Sequence, residues 1–143
     1  MIEYYSKNQV LPLTESQATN VPFAVRKLQK GCTIVMSGDS AQIQKCGVYY
    51  VEFDASFTAS AATNLIFTLY VDGVAQPEST QTVTVSATDT YCTSHFSTYV
   101  QKRDNNCNCN PCTAPTSIYV TVTPSATANV TFETTKLLAY KTA

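Results

Sequence analysis

Charge is the scarcest commodity here. Asp, Glu, Lys and Arg make up 13% of the 143 residues, and the formal net charge is -1. That is about half the charged share of an ordinary globular chain. The basic surface that a nucleic-acid binder needs is missing. Lysines and arginines stand singly, so no patch suited to an anionic membrane emerges either. Long apolar runs are absent too; no segment reaches the roughly 18 residues of a membrane span. The opening MIEYYSKNQVLPL lacks the basic-then-apolar order of a secretory signal. With an initiating Met, it reads as a chain made and kept in the cytosol, the alternative being one whose signal has been removed. Leucine and the charged helix formers are scarce, whereas Thr, Ser, Val and Tyr abound, which is the makeup of a β protein. At 15.6 kDa and 44% hydrophobic, the chain fits one domain with a real core.

Residues 1–20 show no sustained period and end in the polar TESQATN, so they read as an extended N-terminal arm, with one β domain over 21–143. VPFAVRKL reads as a first short strand. GCTIVMSGDSAQIQKCG reads as a hairpin in which Ser37 pairs with Ala41 around a three-residue loop, setting Cys32 across from Cys46. Their Cβ atoms would then lie about 4.5–5.5 Å apart, near disulfide range. Two small buried thiols are the alternative, and the one that suits a reducing compartment.

GVYYVEFDASF is the clearest strand, with Tyr49, Val51, Phe53, Ala55 and Phe57 on one face. LIFTLYVDG follows and closes at the turn signal Asp72-Gly73. STQTVTVSAT, TYCTSHFSTYV, SIYVTVT and ANVTFETTKLLAYKT complete about eight strands at short spacing, without a credible amphipathic helix. That pattern is an antiparallel sandwich or barrel. Several strands carry large groups on both faces: Tyr50, Ile66, Tyr70, Tyr99, Tyr119 and Tyr140. One small domain cannot cover both faces, so self-association is expected.

Residues with chemistry are few. His95 is the only histidine, and a catalytic relay would need Asp72, Asp89 or Asp104 beside it and an activated serine. No nucleophile motif is present, and the expectation is a structural histidine in a protein that is not an enzyme. Glu52 and Asp54 are successive outward positions on one strand, readable as a carboxylate pair but better as a solvated face. SGDS and VDGV are turns whose Asp and Gly serve backbone geometry rather than calcium, and NVT at Asn129 carries no weight without a secretory route.

The stretch RDNNCNCNPCTAPT holds Cys107, Cys109 and Cys112. Three thiolates fall one short of a structural zinc site. Cys92 could pair with one of the three by the loop folding back. Disulfides, unpaired thiols and a metal all remain open, with disulfides closing after release into an oxidising exterior as the leading expectation. No metal and no cofactor is assigned.

The order VPF, GVYYVEF, LIFTLYVDGV, FSTYV, IYVTV and ANVTFETTKLLAY resembles the complement/tumour-necrosis-factor-like jelly-roll domain, in the small versions that tailed phages carry as head-decoration or head-fibre proteins. The likeness runs from about Val21 to Tyr140. Its most specific part is Gly47, Tyr49, Val51 and Phe53, followed by Val71-Asp72-Gly73. The resemblance implies a ten-strand, two-sheet jelly roll and a homotrimer closed by aromatic residues, here Tyr50, Ile66, Tyr70, Tyr119 and Tyr140. It further implies a capsid decoration protein, assembled in host cytoplasm and held on the virion surface. Its partner would be the major capsid protein or another head protein, reached through the N-terminal arm. No Gly-X-Y stalk and no acidic loop cluster is present. A trimeric head recognising host-surface or mucosal glycans is the alternative. The loops TASAATN and PSATA, free of aromatic rings, favour decoration.

Overall fold

A computed structural model of the protein describes residues 1–103 and 115–143. These form eleven strands and, among the described residues, no helix. In chain order they are β1 (Ile2–Leu13), β2 (Thr19–Asn20), β3 (Val25–Gln29), β4 (Ile34–Ser37), β5 (Ser40–Ile43), β6 (Gly47–Ala59), β7 (Thr63–Val71), β8 (Val74–Val85), β9 (Cys92–Lys102), β10 (Thr116–Pro124) and β11 (Ala128–Lys141). The first sheet runs β3-β1-β11-β6-β9 and the second β4-β5-β10-β7-β8, with β2 joined to β10. Every pairing is antiparallel. The fold is a two-sheet antiparallel jelly roll.

The expected alternation of GVYYVEFDASF is what β6 shows. Its odd positions from Tyr49 to Ala59 are buried while the even ones are half-exposed. From the second sheet, Leu65, Phe67 and Leu69 of β7 and Ile118, Val120 and Val122 of β10 face them, all fully buried. Aromatic rings bind the layers together. Phe53 lies 6.0 Å from Phe23, 5.6 Å from Phe67 and 5.2 Å from Phe96. Phe57 meets Phe67 at 5.4 Å and Phe132 at 5.7 Å. Offset and edge contacts of this kind add about 0.5–1.5 kcal/mol each beyond area burial.

Three sequence expectations are corrected. First, residues 1–20 do not form an arm: β1 sits inside the first sheet, paired with β11 along Ile2 to Leu13 and with β3 at its start. Its pattern is hidden because its phase changes midway. Ile2 and Ser6 point inward before Asn8, Leu13 after it, and Asn8 itself takes the left-handed φ of 52°. β11 changes phase opposite this point, through a bulge between Phe132 and Thr134 against the unbroken β6. Two matched irregularities keep both strands in register and erase the alternation that would have marked β1.

Second, the strand expected over VPFAVRKL begins only at Val25, as β3. Val21 and Phe23 are buried in the connection ahead of β3, with the Val21 N–H donating to the Val120 carbonyl. Third, the β4–β5 hairpin pairs Ser37 with Ser40 around Gly38-Asp39, one residue tighter than expected, with Gly38 at φ 61°. The ladder ends at Ile34 and Ile43, short of both cysteines, so Cys32 does not stand across from Cys46. Among the described residues no disulfide joins them.

Candidate functional site

Register decides what the outer face of the first sheet presents. Tyr50 stands between Tyr99 of β9 and Tyr140 of β11. The rings meet at 5.7 Å and 66° on one side and at 5.2 Å and 38° on the other. Tyr99 is 66% exposed. Two residues along, Glu52 lies between Ser97 and Leu138, and then Asp54 between His95 and Lys136. Side chains two apart on a strand point the same way, so tyrosines and charges form consecutive bands on one surface.

The charged band is closely wired. Asp54 Oδ1 lies 2.7 Å from His95 Nδ1. Lys136 Nζ reaches Asp54 Oδ2 at 3.4 Å and Glu52 Oε1 at 3.6 Å. The Tyr50 hydroxyl donates to Glu52 Oε2 at 2.9 Å, tying the aromatic band to the charged one. Burial opposes the charge on Lys136, but attraction to Asp54, the hydrogen bond to it, and then Glu52 and Glu3 outweigh this and hold the ammonium above its ordinary value. For Tyr50, a hydrogen bond with Ser97 favours ionisation. The bond to Glu52, desolvation and the nearby charges of Glu52 and Tyr140 prevail and raise it. Beyond Lys136 lies a groove of about 590 Å³ lined by Glu3, Tyr5, Lys7, Lys27, Asp54 and Lys136. Lys27 and Glu3 pair across it at 3.3 Å.

This geometry decides the chemical readings. The partner of His95 is Asp54, rather than Asp72 or Asp89; Asp104 lies outside the described residues. The His95 backbone N–H and the Ser94 hydroxyl both donate to Gln81 Oε1 at 2.8 Å, and among the described residues no serine or cysteine is bonded to the imidazole. Among the described residues, then, Asp54 and His95 form a hydrogen-bonded pair with no nucleophile joined to it. Ligand atoms of Glu52, Asp54 and His95 do lie within 4.8 Å of one another, the spacing of a metal site. Lys136 already supplies a cation to both carboxylates there. The turn aspartates serve the backbone: Asp72 Oδ1 accepts the Ser117 N–H at 2.9 Å and Asp39 Oδ1 the Phe23 N–H at 3.4 Å.

The five residues expected to close one oligomer interface divide between two surfaces. Tyr50 and Tyr140 share the first sheet, whereas Ile66 and Tyr70 of β7 and Tyr119 of β10 belong to the second. There Tyr70 and Tyr119 stack at 5.2 Å and 7°. Alternation revealed that these strands have two large faces; it carried no information on which sheet each joins. Tyr99, noted as an outward ring, was not assigned to the interface, and Lys136 was missed, because only cross-strand register brings them beside Tyr50 and Asp54.

Cys107, Cys109 and Cys112 lie outside the described residues. Cys92 opens β9, and its expected pairing with one of the three falls on residues outside those described.

No family model matches this chain, and no curated protein matches it. Solved structures do, and they place it in a class: the fold is the tumour-necrosis-factor-like jelly roll. Three of them are the globular domain of zebrafish complement 1qA protein, the vertex protein P5 of PRD1 and murine APRIL. The first aligns with a TM-score of 0.57 at 12% identity, covering 99% of this chain and 97% of that one. For P5 the figures are 0.56, 11%, 99% and 96%. For APRIL they are 0.51, 13%, 92% and 98%. At such identities the likeness is one of fold.

Proposed function

We propose that this chain is a non-enzymatic structural protein of a phage virion, a homotrimer that decorates the capsid surface. The observation that carries the reading is the outer face of the first sheet. Tyr50, Tyr99 and Tyr140 form a continuous aromatic band with one ring two-thirds exposed, beside a charge cluster whose members already satisfy one another. Aromatic centres within a polar rim are the usual anatomy of a protein interface. A second copy of the chain is its occupant. The end-to-end match with a phage vertex protein supports the virion setting. Attachment through an N-terminal arm is not part of the proposal, since β1 is built into the sheet; loops at one end of the sandwich would contact the major capsid protein or another head protein instead.

The test is reconstitution. Capsids lacking the decoration are mixed with the purified chain and imaged by electron cryomicroscopy. The proposal expects threefold density of jelly-roll size on the outer surface. Saturating protein with bare capsids would contradict it.

A further inference from the structure

The second sheet poses a separate question, because the middle of its outer face is partly exposed and yet carries no charged side chain, Glu78 standing at its β8 edge. Along β7 the outward positions alternate with the buried Leu65, Phe67 and Leu69, and along β10 with the buried Ile118, Val120 and Val122. Those outward positions, with their neighbours Thr80 to Thr84 on β8, include no Asp, Glu, Lys or Arg. Instead, threonines surround two apolar features. Ile66, 38% exposed, sits between Thr82 and Thr123 in register. One step along, Thr68 leads to the stacked pair Tyr70 and Tyr119.

Charged side chains ordinarily hold a sheet face in solution, and the first sheet uses at least six in that way: Glu3, Lys7, Lys27, Glu52, Asp54 and Lys136. Their exclusion here leaves a surface whose polar groups are neutral hydroxyls. These are set about 4.8 Å apart across strands and about 6.8 Å apart along them. The aromatic pair is held rigid by mutual stacking, so little side-chain entropy is lost when a ligand settles on it.

From this arrangement we infer that the outer face of the second sheet is a binding site for a neutral oligosaccharide. The chemistry matches on three counts. A saccharide presents a dense array of hydroxyls that both donate and accept, and threonine hydroxyls do the same. Its ring C–H groups pack on tyrosine ring faces and on the Ile66 side chain, while the tyrosine hydroxyls remain free to bond. It carries no charge, and this surface offers no cation, only Glu78 at its β8 edge, so an acidic glycan would lose solvation without recompense. The inference rests on the proposed orientation to this extent: self-association through the first sheet leaves the second facing outward.

The test uses the full chain and four neutral probes, the hexaoses of cellulose, xylan, mannan and laminarin, with 3′-sialyllactose as the charged comparison. Binding is followed by amide chemical shifts while the assembly state is read on the same sample by sedimentation. At least one neutral hexaose is expected to shift resonances of β7, β8 and β10. Tyr70→Ala and Tyr119→Ala, each with a native spectrum elsewhere, are expected to weaken that binding about tenfold or more, a loss near 1.4 kcal/mol. Thr82→Val, which keeps shape and removes a hydroxyl, is expected to weaken it less. Affinity should hold between low and high salt, since no ion pair contributes.

Silence of all four neutral probes would overturn the inference. So would binding unaffected by both tyrosine variants, or preference for the sialylated probe. Association beyond a trimer that Tyr70→Asp abolishes would assign the face to another copy of the chain and overturn it too. Oligosaccharide binding by a monomer would leave this inference standing and refute the self-association reading, so the two can fail separately.

Discussion

Replacing Tyr99 by aspartate separates folding from assembly. Tyr99 is 66% exposed in the single chain and sits on β9, an edge strand of the first sheet, where its main contact is the edge-on ring of Tyr50. Losing that contact costs the lone fold about 0.5–1.5 kcal/mol. The cost to assembly is larger. A tyrosine carries roughly 200 Å² of surface, so about 130 Å² of it remains to be covered by a neighbouring chain. At about 25 cal/mol per Å² this is near 3 kcal/mol per chain, or about 9 kcal/mol for a trimer. Even half of that would weaken the trimer about a thousandfold. The introduced carboxylate adds a desolvation penalty of the same sign. Sedimentation equilibrium at micromolar concentration is the assay. Wild type is expected at three times 15.6 kDa and Tyr99→Asp as a folded monomer melting within a few degrees of it. A variant that stays trimeric, or a wild type that is monomeric, would refute the reasoning.

Other perturbations probe the remaining parts. Phe53→Ala removes the ring shared by Phe23, Phe67 and Phe96 and is expected to cost about 3–5 kcal/mol in urea unfolding; a loss under 1 kcal/mol would contradict the packing. Deleting residues 1–13 takes a strand from between β3 and β11 and should abolish cooperative melting, whereas a detachable arm would leave the melt unchanged. Lys136→Met leaves Glu52 and Asp54 without their shared cation and should cost up to about 1 kcal/mol, because the group is partly exposed and screened. The Lys136 pKa is raised by folding, so its contribution is complete below the ordinary lysine value of 10.5 and fades as pH climbs through the folded value. The gap between wild type and Lys136→Met should accordingly narrow in strong alkali; a gap that widens there would contradict the sign.

Elements with one unbroken phase were legible in the chain. β6 runs from Tyr49 to Ala59 with every inward position apolar, and β7 closes at Asp72-Gly73, both of which take the positive φ that a tight hairpin requires. The resemblance to the complement and tumour-necrosis-factor jelly roll had its most specific part in those two strands, and the fold agrees. What escaped was whatever depends on register. β1 was hidden by the phase change at Asn8, and the β4–β5 turn was misread by one residue, which moved Cys32 away from Cys46. The surfaces failed in the same way. Tyr50 and Tyr70 look alike in sequence, each an aromatic residue opposite a buried face. One neighbours Tyr99 and Tyr140 and the other Tyr119, on different sheets, because strand order is set by long-range pairing that local periodicity does not encode.

The central claim is that the chain associates through the first sheet and leaves the second exposed, and tyrosine nitration of the assembled protein tests it most directly. Tyr91 and Tyr99 are 69% and 66% exposed in the single chain, so in a monomer they should react alike. In a sample that sediments as a trimer, the account predicts that Tyr91 is nitrated while Tyr99 is protected. Equal nitration of Tyr91 and Tyr99 in that trimer would contradict it.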